Sequence, residues 1–300
     1  MEVLNKGFLT LPVCAKRHGR ERSGVAQGGP MDPVSYTLAN RLVGNCADAA
    51  ALEFCLAMPS LRFLDSCTFA LVGGDCRAVL QRDGESIPVP MGQTVMAREG
   101  DLLTGGMLQS GFRAYLAVSG GLKGIPLRSS PLHTGDRLSL HPAAPSSILR
   151  LSRLPFSFPK DPAVIRVTPG VHAGHFSREG LETFCSRLYT YTPQSDRMGI
   201  RFDGPRIAFA SGYDGNIISE GMLPGDIQIT SEGLPILMTA DCQTVGGYAK
   251  IAHVITADLP VVAQLRPGSK VLFRAISVRD AQKVLRAQSE ELEHCIEAVR

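Results

Sequence analysis

The sequence contains no apolar run near the ~20 residues that a membrane-spanning helix requires. The mildly apolar segment 7–15 is too short for a signal peptide, and Lys16 and Arg17 follow it immediately. We therefore expect a cytoplasmic protein that has no membrane partner.

Paired C-x-x-C motifs are also absent, although the chain has eight cysteines. Most of these cysteines lie in apolar runs, which is typical of reduced core thiols. A chain of this size does not need disulfides for stability, so its cysteines indicate a reducing compartment. His172 and His175 are three residues apart without an evident third ligand, so we predict no metal site.

Several motifs of catalysis and binding are missing as well. There is no G-x-S-x-G nucleophile elbow, no G-x-x-x-x-G-K-[ST] phosphate loop and no A-M-K-M segment of a biotin carrier. The net charge is only +3, and the single basic cluster, residues 16–22, is interpreted as a solvated loop. Nucleic-acid binding requires a broader basic face with aromatic residues, so we predict no nucleic-acid partner.

The length and composition indicate two globular domains. The chain has 300 residues, of which 44% are hydrophobic, and this exceeds the usual size of one domain. A Pro- and Ser-rich passage, residues 142–162, is typical of an interdomain connection. We predict an N-terminal β-rich domain over residues 1–155 and a C-terminal domain over residues 163–300.

Short β-type runs separated by glycine- and aspartate-containing turns dominate the pattern, which favours antiparallel barrels or sandwiches over βαβ units. We therefore predict a mainly β fold with two barrel-like domains and few helices. The predicted strands are residues 61–64, 69–72, 78–81, 94–98, 102–104, 113–118, 137–140, 163–167, 189–192, 198–202, 227–230, 235–239, 254–256 and 271–275.

Three helices are predicted. The first helix has Asp32 as its N-terminal cap and ends at Gly44. The second helix spans about 177–188, and the third spans about 278–298. We interpret Asp32 as scaffold, together with Asn40, which is expected to bind buried backbone, and Glu53, which is expected to pair with Arg41.

The most informative stretch is residues 226–258, where polar residues interrupt an apolar β pattern. Glycine inside a strand weakens it unless another backbone or a ligand comes close, and buried polar groups need partners. We therefore place a binding pocket here. Its candidate residues are Asp241, Gln243, Thr244, Gly246, Gly247, Tyr248 and Lys250.

These residue types suit a planar amide or an oxyanion. Gly246 and Gly247 could present backbone N–H groups to a carbonyl or phosphate oxygen, with Lys250 as the nearby positive charge. Gln243 and Tyr248 can donate to and accept from an amide. Asp241 either orients Lys250 or caps a turn.

A second candidate is the segment Asp196-Arg197 between two β-type runs. Arginine can clamp a carboxylate through two parallel hydrogen bonds. The alternative is that Asp196 caps a turn and Arg197 belongs to an internal ion pair. The residues alone leave both interpretations open.

Seven motifs extend over most of the chain in order. They are G-G-P-M-D at 28–32, L-A-N-R-L-V-G-N at 38–45, A-A-L-E at 50–53, A-Y-L-A-V-S-G-G at 114–121, P-Q-S-D-R-M-G at 193–199, D-C-Q-T-V-G-G-Y-A-K at 241–250, and A-D-L-P-V-V-A-Q-L-R-P-G at 257–268. They resemble the biotin-dependent carboxyltransferase-like family, which includes the C subunit of 5-oxoprolinase and the proteins called allophanate hydrolase subunit 2.

The resemblance implies two β-rich domains, the second of them cyclophilin-like, and pairing with a homologous B-type subunit. In the 5-oxoprolinase members, the B and C subunits use ATP to activate 5-oxoproline, and the A-type subunit then opens the ring to glutamate. The function expected for this chain is therefore that of the C-type subunit of a 5-oxoprolinase, which is inactive alone. Lys250 and Gln243 are the expected catalytic residues, and the other candidates are expected to bind substrate.

The chain departs from the family pattern in three places. The Gln-Asp pair near the start is missing around Cys14–Arg20, the loop after Gly121 is short over residues 125–130, and Cys242 replaces a common arginine. These departures keep two alternatives open. One is carboxyl transfer of the urea carboxylase type, with biotin on a separate carrier, and the other is a regulatory binding protein that modulates a sensor-kinase inhibitor.

Overall fold

The computed structural model describes residues 1–15, 17–124, 130–143 and 148–298. The chain forms two compact units. The first comprises Met1–Ala15, Asp32–Ser157 and Glu290–Arg300, and the second comprises Lys16–Met31 and Phe158–Ser289. Each unit thus combines separate segments, whereas the sequence analysis treated each domain as one continuous range. Most of the short loop expected after Gly121 lies outside the described residues.

Strands make up most of the regular structure, and helices are few. The strands are β1 (Glu2–Asn5), β2 (Leu9–Val13), β3 (Ala51–Cys55), β4 (Ser60–Arg62), β5 (Cys67–Gly73), β6 (Val79–Arg82), β7 (Glu85–Pro88), β8 (Thr94–Ala97), β9 (Leu102–Thr104), β10 (Arg113–Val118), β11 (Leu149–Leu151), β12 (Ala163–Pro169), β13 (Tyr189–Tyr191), β14 (Gly199–Asp203), β15 (Asn216–Gly221), β16 (Asp226–Ile229), β17 (Pro235–Met238), β18 (Val245–Tyr248), β19 (Lys250–Val254), β20 (Lys270–Ala275) and β21 (Ile296–Ala298). The α-helices are α1 (Pro33–Leu42), α2 (Arg178–Ser186), α3 (Leu259–Ala263) and α4 (Val278–His294). Short 3₁₀ turns occupy Glu21–Ser23, Ala173–His175 and Thr256–Asp258.

The first unit contains two five-stranded antiparallel sheets. Their strand orders are β1-β4-β9-β6-β7 and β2-β3-β10-β5-β8, and β11 pairs separately with β21. Strand β10 is buried along its whole length, and helix α1 packs against β10 and β5. The predicted strand over 137–140 is wrong, because only isolated bridges form at Arg137 and Leu140.

Helix α1 begins as its sequence predicts. The Asp32 side chain accepts hydrogen bonds from the backbone N–H groups of Val34 and Ser35, which satisfies donors at the helix start. Asn40 donates to the Ala49 carbonyl, as expected for a residue that binds backbone.

The predicted partner of Glu53 is wrong. Glu53 accepts a 2.6 Å hydrogen bond from the Tyr115 hydroxyl and lies 3.8 Å from Arg113. Arg41 pairs instead with Glu293.

The second unit contains a closed seven-stranded barrel with the strand order β12-β19-β16-β17-β14-β13-β20. Strands β12 and β20 pair in parallel, and the other neighbours are antiparallel. Together with the sheets of the first unit, this barrel confirms the mainly β class. The cyclophilin-like assignment of the barrel stays a prediction.

The last helix is shorter than its periodicity suggested. Helix α4 ends at His294, and residues 296–298 form β21, which pairs with β11. Cys295 is buried in the core of the first unit, so the apolar residues at this end serve a strand instead of another helical turn. No helix among the described residues is long and apolar enough to cross a membrane.

Aromatic rings pack together in the hydrophobic core of the second unit. The fully buried ring of Phe273 stacks on Phe184 at a centroid distance of 4.8 Å and meets the rings of Tyr189 and Phe202 at 5.9 and 5.6 Å. Protein interiors are packed about as densely as crystals of small organic molecules. If one of these rings were removed, the others could therefore not move enough to fill the space.

We predict that Phe273→Ala lowers the free energy of unfolding by about 3–5 kcal/mol, through lost burial and the cavity left behind. Urea unfolding followed by circular dichroism measures this change. Ile218→Ala is the control, because Ile218 is 95% exposed and its truncation should change stability little. Equal effects of the two substitutions would contradict the assignment of the core.

Candidate functional site

The stretch singled out in the sequence forms part of the barrel wall and an adjoining ribbon. Strands β16, β17 and β19 lie in the barrel, whereas β18 pairs with β15 in a separate two-stranded ribbon. The strands predicted over 227–230 and 235–239 form the hairpin β16–β17, with Ile227 opposite Leu237 and Ile229 opposite Pro235. The polar segment therefore lies where the chain passes from the ribbon strand β18 into the barrel strand β19.

Lys250, the first residue of β19, has an almost buried side chain, only 11% exposed. Its ammonium donates to the Gly221 carbonyl at 2.8 Å and lies 2.6 Å from Glu220 Oε1 and 3.7 Å from Asp226 Oδ2. Burying a charge is costly unless it is paired, so these acceptors are what allow a lysine here. We call Lys250, Glu220, Asp226, His172 and His253 the Lys250 cluster.

Asp226 connects Lys250 to His253. The pairing of β16 with β19 sets Asp226 opposite His253, and Asp226 Oδ1 lies 2.7 Å from His253 Nδ1. Burial favours the neutral carboxyl, but hydrogen bonds from His253 and from the Leu223 N–H, with the charges of His253 and Lys250, prevail and lower the pKa of Asp226. Asp226 is therefore ionised at neutral pH.

His172 approaches the cluster from the segment before the Ala173–His175 turn. The backbone N–H of His172 donates to the Lys250 carbonyl, and His172 Nδ1 accepts from the Lys250 N–H at 3.3 Å. Burial lowers the pKa of His172, which favours the neutral ring. Because Nδ1 is the acceptor, the proton of the neutral ring is on Nε2.

The ribbon brings the predicted glycines beside this cluster. Gly246 lies opposite Glu220 in the ribbon, and a Cβ on Gly246 would come within 2.6 Å of Gln228 Nε2. A side chain at 246 would displace the buried Gln228 amide, which favours glycine at this position. Gly247 has no such constraint, because its nearest neighbour, Ser219 Oγ, would be at an ordinary 3.5 Å. Tyr248 lies opposite Asn216 and accepts a hydrogen bond from Gln228 through its carbonyl.

The turn before β18 contains the remaining candidates. Gln243 is half-buried, and its side chain has no hydrogen bond to the described part of the chain. Thr244 accepts a hydrogen bond from the Met222 N–H through its carbonyl. Cys242 is buried against Met222 and Met238, so it packs in an apolar cluster.

Asp196, Arg197 and Asp241 form a separate arrangement. Asp196 accepts from the N–H groups of Met198 and Gly199, and so caps a turn. Arg197 donates to Asp241 Oδ2 at 2.8 Å and Oδ1 at 3.3 Å, and also to the Gly29 carbonyl at 2.7 Å. Asp241 thus pairs with Arg197 and does not orient Lys250, which favours the internal ion pair over a carboxylate clamp.

Sequence reasoning did not identify Glu220, Asp226, His172 or His253 as partners of Lys250. His172 had been considered only as a metal ligand together with His175, and no role had been predicted for His253. Among the residues that the structure describes, no group of three or more His, Cys, Asp or Glu side chains is arranged to hold a metal ion.

Comparison with known proteins places this geometry in a family. The model of the carboxyltransferase domain, subdomain A and B, matches residues 23–275. The chain belongs to that family. The match includes the ribbon, the barrel and every member of the Lys250 cluster.

Two curated relatives contain this domain as different shares of their length. The C subunit of 5-oxoprolinase from Escherichia coli is 31% identical over 98% of this chain and 96% of its own length. A putative urea carboxylase of Emericella nidulans is 30% identical over 86% of this chain, but over only 22% of its own length.

A solved structure, the urea amidolyase of Kluyveromyces lactis, superposes with a TM-score of 0.85 at 29% identity, over 99% of this chain and 20% of that protein. In the solved structures of this type, the chain therefore corresponds to one part of a longer protein.

We predict that part of the loss of folding stability at low pH depends on Asp226. An aspartate in the unfolded chain titrates near about pH 3.9. Because folding lowers the pKa of Asp226, the stabilisation it provides is complete above that pH and is lost as the pH falls through the folded-state pKa. In Asp226→Asn, the free energy of unfolding should therefore fall less steeply below about pH 4 than in the unmodified protein.

Urea unfolding at several pH values between 7 and 3 measures this difference. Glu232→Gln, a change at an exposed position of the same unit, is the control and should leave the slope unchanged. Parallel stability profiles for Asp226→Asn and the unmodified chain would show that Asp226 does not contribute.

Proposed function

We propose that this chain is one component of an ATP-dependent enzyme that opens a small cyclic amide, 5-oxoproline, and that it is inactive alone. Two further chains, one of the homologous B type and one of the A type, supply the remaining groups, in the cytoplasm. The proposal is supported by the relative named as the C subunit of 5-oxoprolinase, which matches this chain over nearly its whole length. It is also supported by the chemistry of the Lys250 cluster.

The observation that carries the proposal is the position of Glu220 on the Lys250 ammonium. The Glu220 side chain is 38% exposed, whereas the Lys250 side chain is 11% exposed. Rotation of Glu220 into solvent leaves Lys250 held by the Gly221 carbonyl and Asp226, with one donor directed outward. A substrate carbonyl then replaces Glu220, and Lys250 stabilises the negative charge that develops on its oxygen.

Other residues near Lys250 can bind the remaining atoms of a planar amide. Gln243 has a side chain that makes no internal hydrogen bond in the described residues, and its carboxamide can both donate and accept. Tyr248 and Gly247 lie half-buried on β18, next to the start of β19. Together they form the binding surface, and Lys250 acts on the carbonyl.

The chain supplies cations and amide partners but lacks other parts of such an enzyme. No phosphate loop occurs in the sequence, so we assign the principal contacts with ATP to the partner chains. No nucleophile elbow occurs either, and attack on the activated amide is assigned to a group outside this chain.

A second candidate function is carboxyl transfer to urea or a related amide. It is favoured by the putative urea carboxylase and by the urea amidolyase of Saccharomyces cerevisiae, which is 30% identical over 91% of this chain. Because the sequence lacks a carrier motif, biotin would arrive on a separate protein. The same Lys250 site would then act on the urea carbonyl.

We predict that Lys250→Met lowers ATP-dependent hydrolysis of 5-oxoproline by the reconstituted complex of three chains at least about 100-fold, the usual effect of removing an oxyanion donor. Release of glutamate measures the rate, and size-exclusion chromatography verifies assembly. Lys283→Met is the matched control, since Lys283 is an exposed lysine on α4 that pairs with Asp280.

Full activity of an assembled Lys250→Met complex would remove Lys250 from the reaction. If the unmodified complex does not hydrolyse 5-oxoproline but carboxylates urea in the presence of a biotinylated carrier, the second function replaces the first. The Lys250 and Lys283 variants are then compared in that assay.

A further inference from the structure

Arg17 differs from three other partly buried arginines of this protein. Arg82 pairs with Asp101, Arg166 with Asp258 and Arg197 with Asp241. Among the described residues, by contrast, no carboxylate oxygen lies within 4.0 Å of the Arg17 guanidinium. A half-buried guanidinium without a counter-ion is unusual, because desolvated charges are normally paired.

The hydrogen bonds of Arg17 within the chain are also incomplete. Its Nη2 donates to the Ala26 carbonyl at 3.4 Å, a long hydrogen bond, and its buried Nε has no acceptor among the residues described. An arginine carries five N–H donors in a planar fork. Most of the donating capacity of Arg17 is therefore unused within the described chain.

The backbone fixes the guanidinium against Gly28. The Arg17 N–H donates to the Gln27 carbonyl at 2.9 Å, and the Gly28 N–H donates to the Ala240 carbonyl at 3.0 Å. A Cβ on Gly28 would lie 2.4 Å from Arg17 Nη2, so only glycine permits this approach. The close contact shows that Arg17 occupies a defined position and does not extend freely into solvent.

A second donor is adjacent. The Gly29 carbonyl is bound by Arg197, but the half-buried Gly29 N–H has no acceptor in the described ranges of the chain. From the position of the Gly28 Cβ and standard backbone dimensions, the Gly29 nitrogen lies within about 6 Å of Arg17 Nη2. Two unused donors at this separation can both bind one small group that has two or more oxygen atoms.

We propose that Arg17 and the Gly29 N–H form a binding site for a small oxyanion: a carboxylate, bicarbonate or phosphate. Arginine binds such groups through paired N–H···O bonds, and a backbone N–H adds a donor of fixed direction. The exposed side chains of Arg20 and Arg22 on the same loop add positive potential around the site. The site shares no residue with the Lys250 cluster and does not depend on the function proposed above.

Calorimetry of the whole chain with sodium acetate, bicarbonate and phosphate tests the proposal, with ionic strength held constant by sodium chloride. At least one of the three anions should bind the unmodified chain. Arg17→Met should weaken that binding at least tenfold. Arg20→Met removes an exposed arginine of the same loop and should change the affinity less than twofold.

Gly28→Ala provides an independent variant, because its methyl group displaces the guanidinium while the charge remains. It should also weaken binding at least tenfold. If Arg17→Met does not fold, Arg17→Lys takes its place, since lysine keeps the charge but loses the paired donors. Binding of acetate alone would identify a carboxylate of an organic molecule as the ligand, and binding of phosphate or bicarbonate would identify a dissolved inorganic anion. Absence of binding by all three anions, or equal affinity with Arg17→Met or its lysine replacement, would overturn the proposal.

Discussion

The Lys250 ammonium, held between two carboxylates at the barrel wall, is the interaction on which the candidate site depends. An unpaired ammonium would cost several kcal/mol at this depth, so the chain must bring Glu220 and Asp226 to it. That requirement fixes three strands at once: β15 supplies Glu220, β16 supplies Asp226 and β19 supplies Lys250. The partial exposure of Glu220 is the basis for proposing a function here, because a partly exposed carboxylate on a buried cation can be exchanged for another acceptor.

Much of the fold could be predicted from local sequence. Two β-type runs separated by a glycine-containing turn indicated strands β16 and β17, and Asp32 as a cap indicated the start of α1. Strand β15 was missed because it lies outside the barrel and does not alternate buried with exposed residues. The end of α4 was missed for a different reason: the apolar spacing around Cys295 suits a helix, but its pairing with a distant strand is decided by tertiary contacts.

The candidate site residues could be selected from sequence, but the partners of their side chains could not. Lys250 and the two glycines were expected together, and the ribbon does bring Gly246 beside Glu220 and Lys250. Ion pairing is a long-range property, however, and a sequence does not show which carboxylate a cation meets. Asp241 therefore turned out to pair with Arg197, and Cys242, considered beside a polar pocket, packs among methionines. Gly246 has a structural reason for being glycine, namely the buried Gln228 amide, while the reason for Gly247 is not steric.

Calorimetric titration of 5-oxoproline into a complex of this chain with the proposed B-type partner, in the presence and absence of ATP, tests the central claim most directly. We expect saturable binding by the complex and none by either chain alone, since in our proposal the Lys250 cluster offers only part of the contacts that a small amide needs. Absence of binding by the complex under both conditions would contradict it and would instead fit a purely regulatory pair. Equally tight binding by this chain alone would contradict the claim that a second chain completes the site.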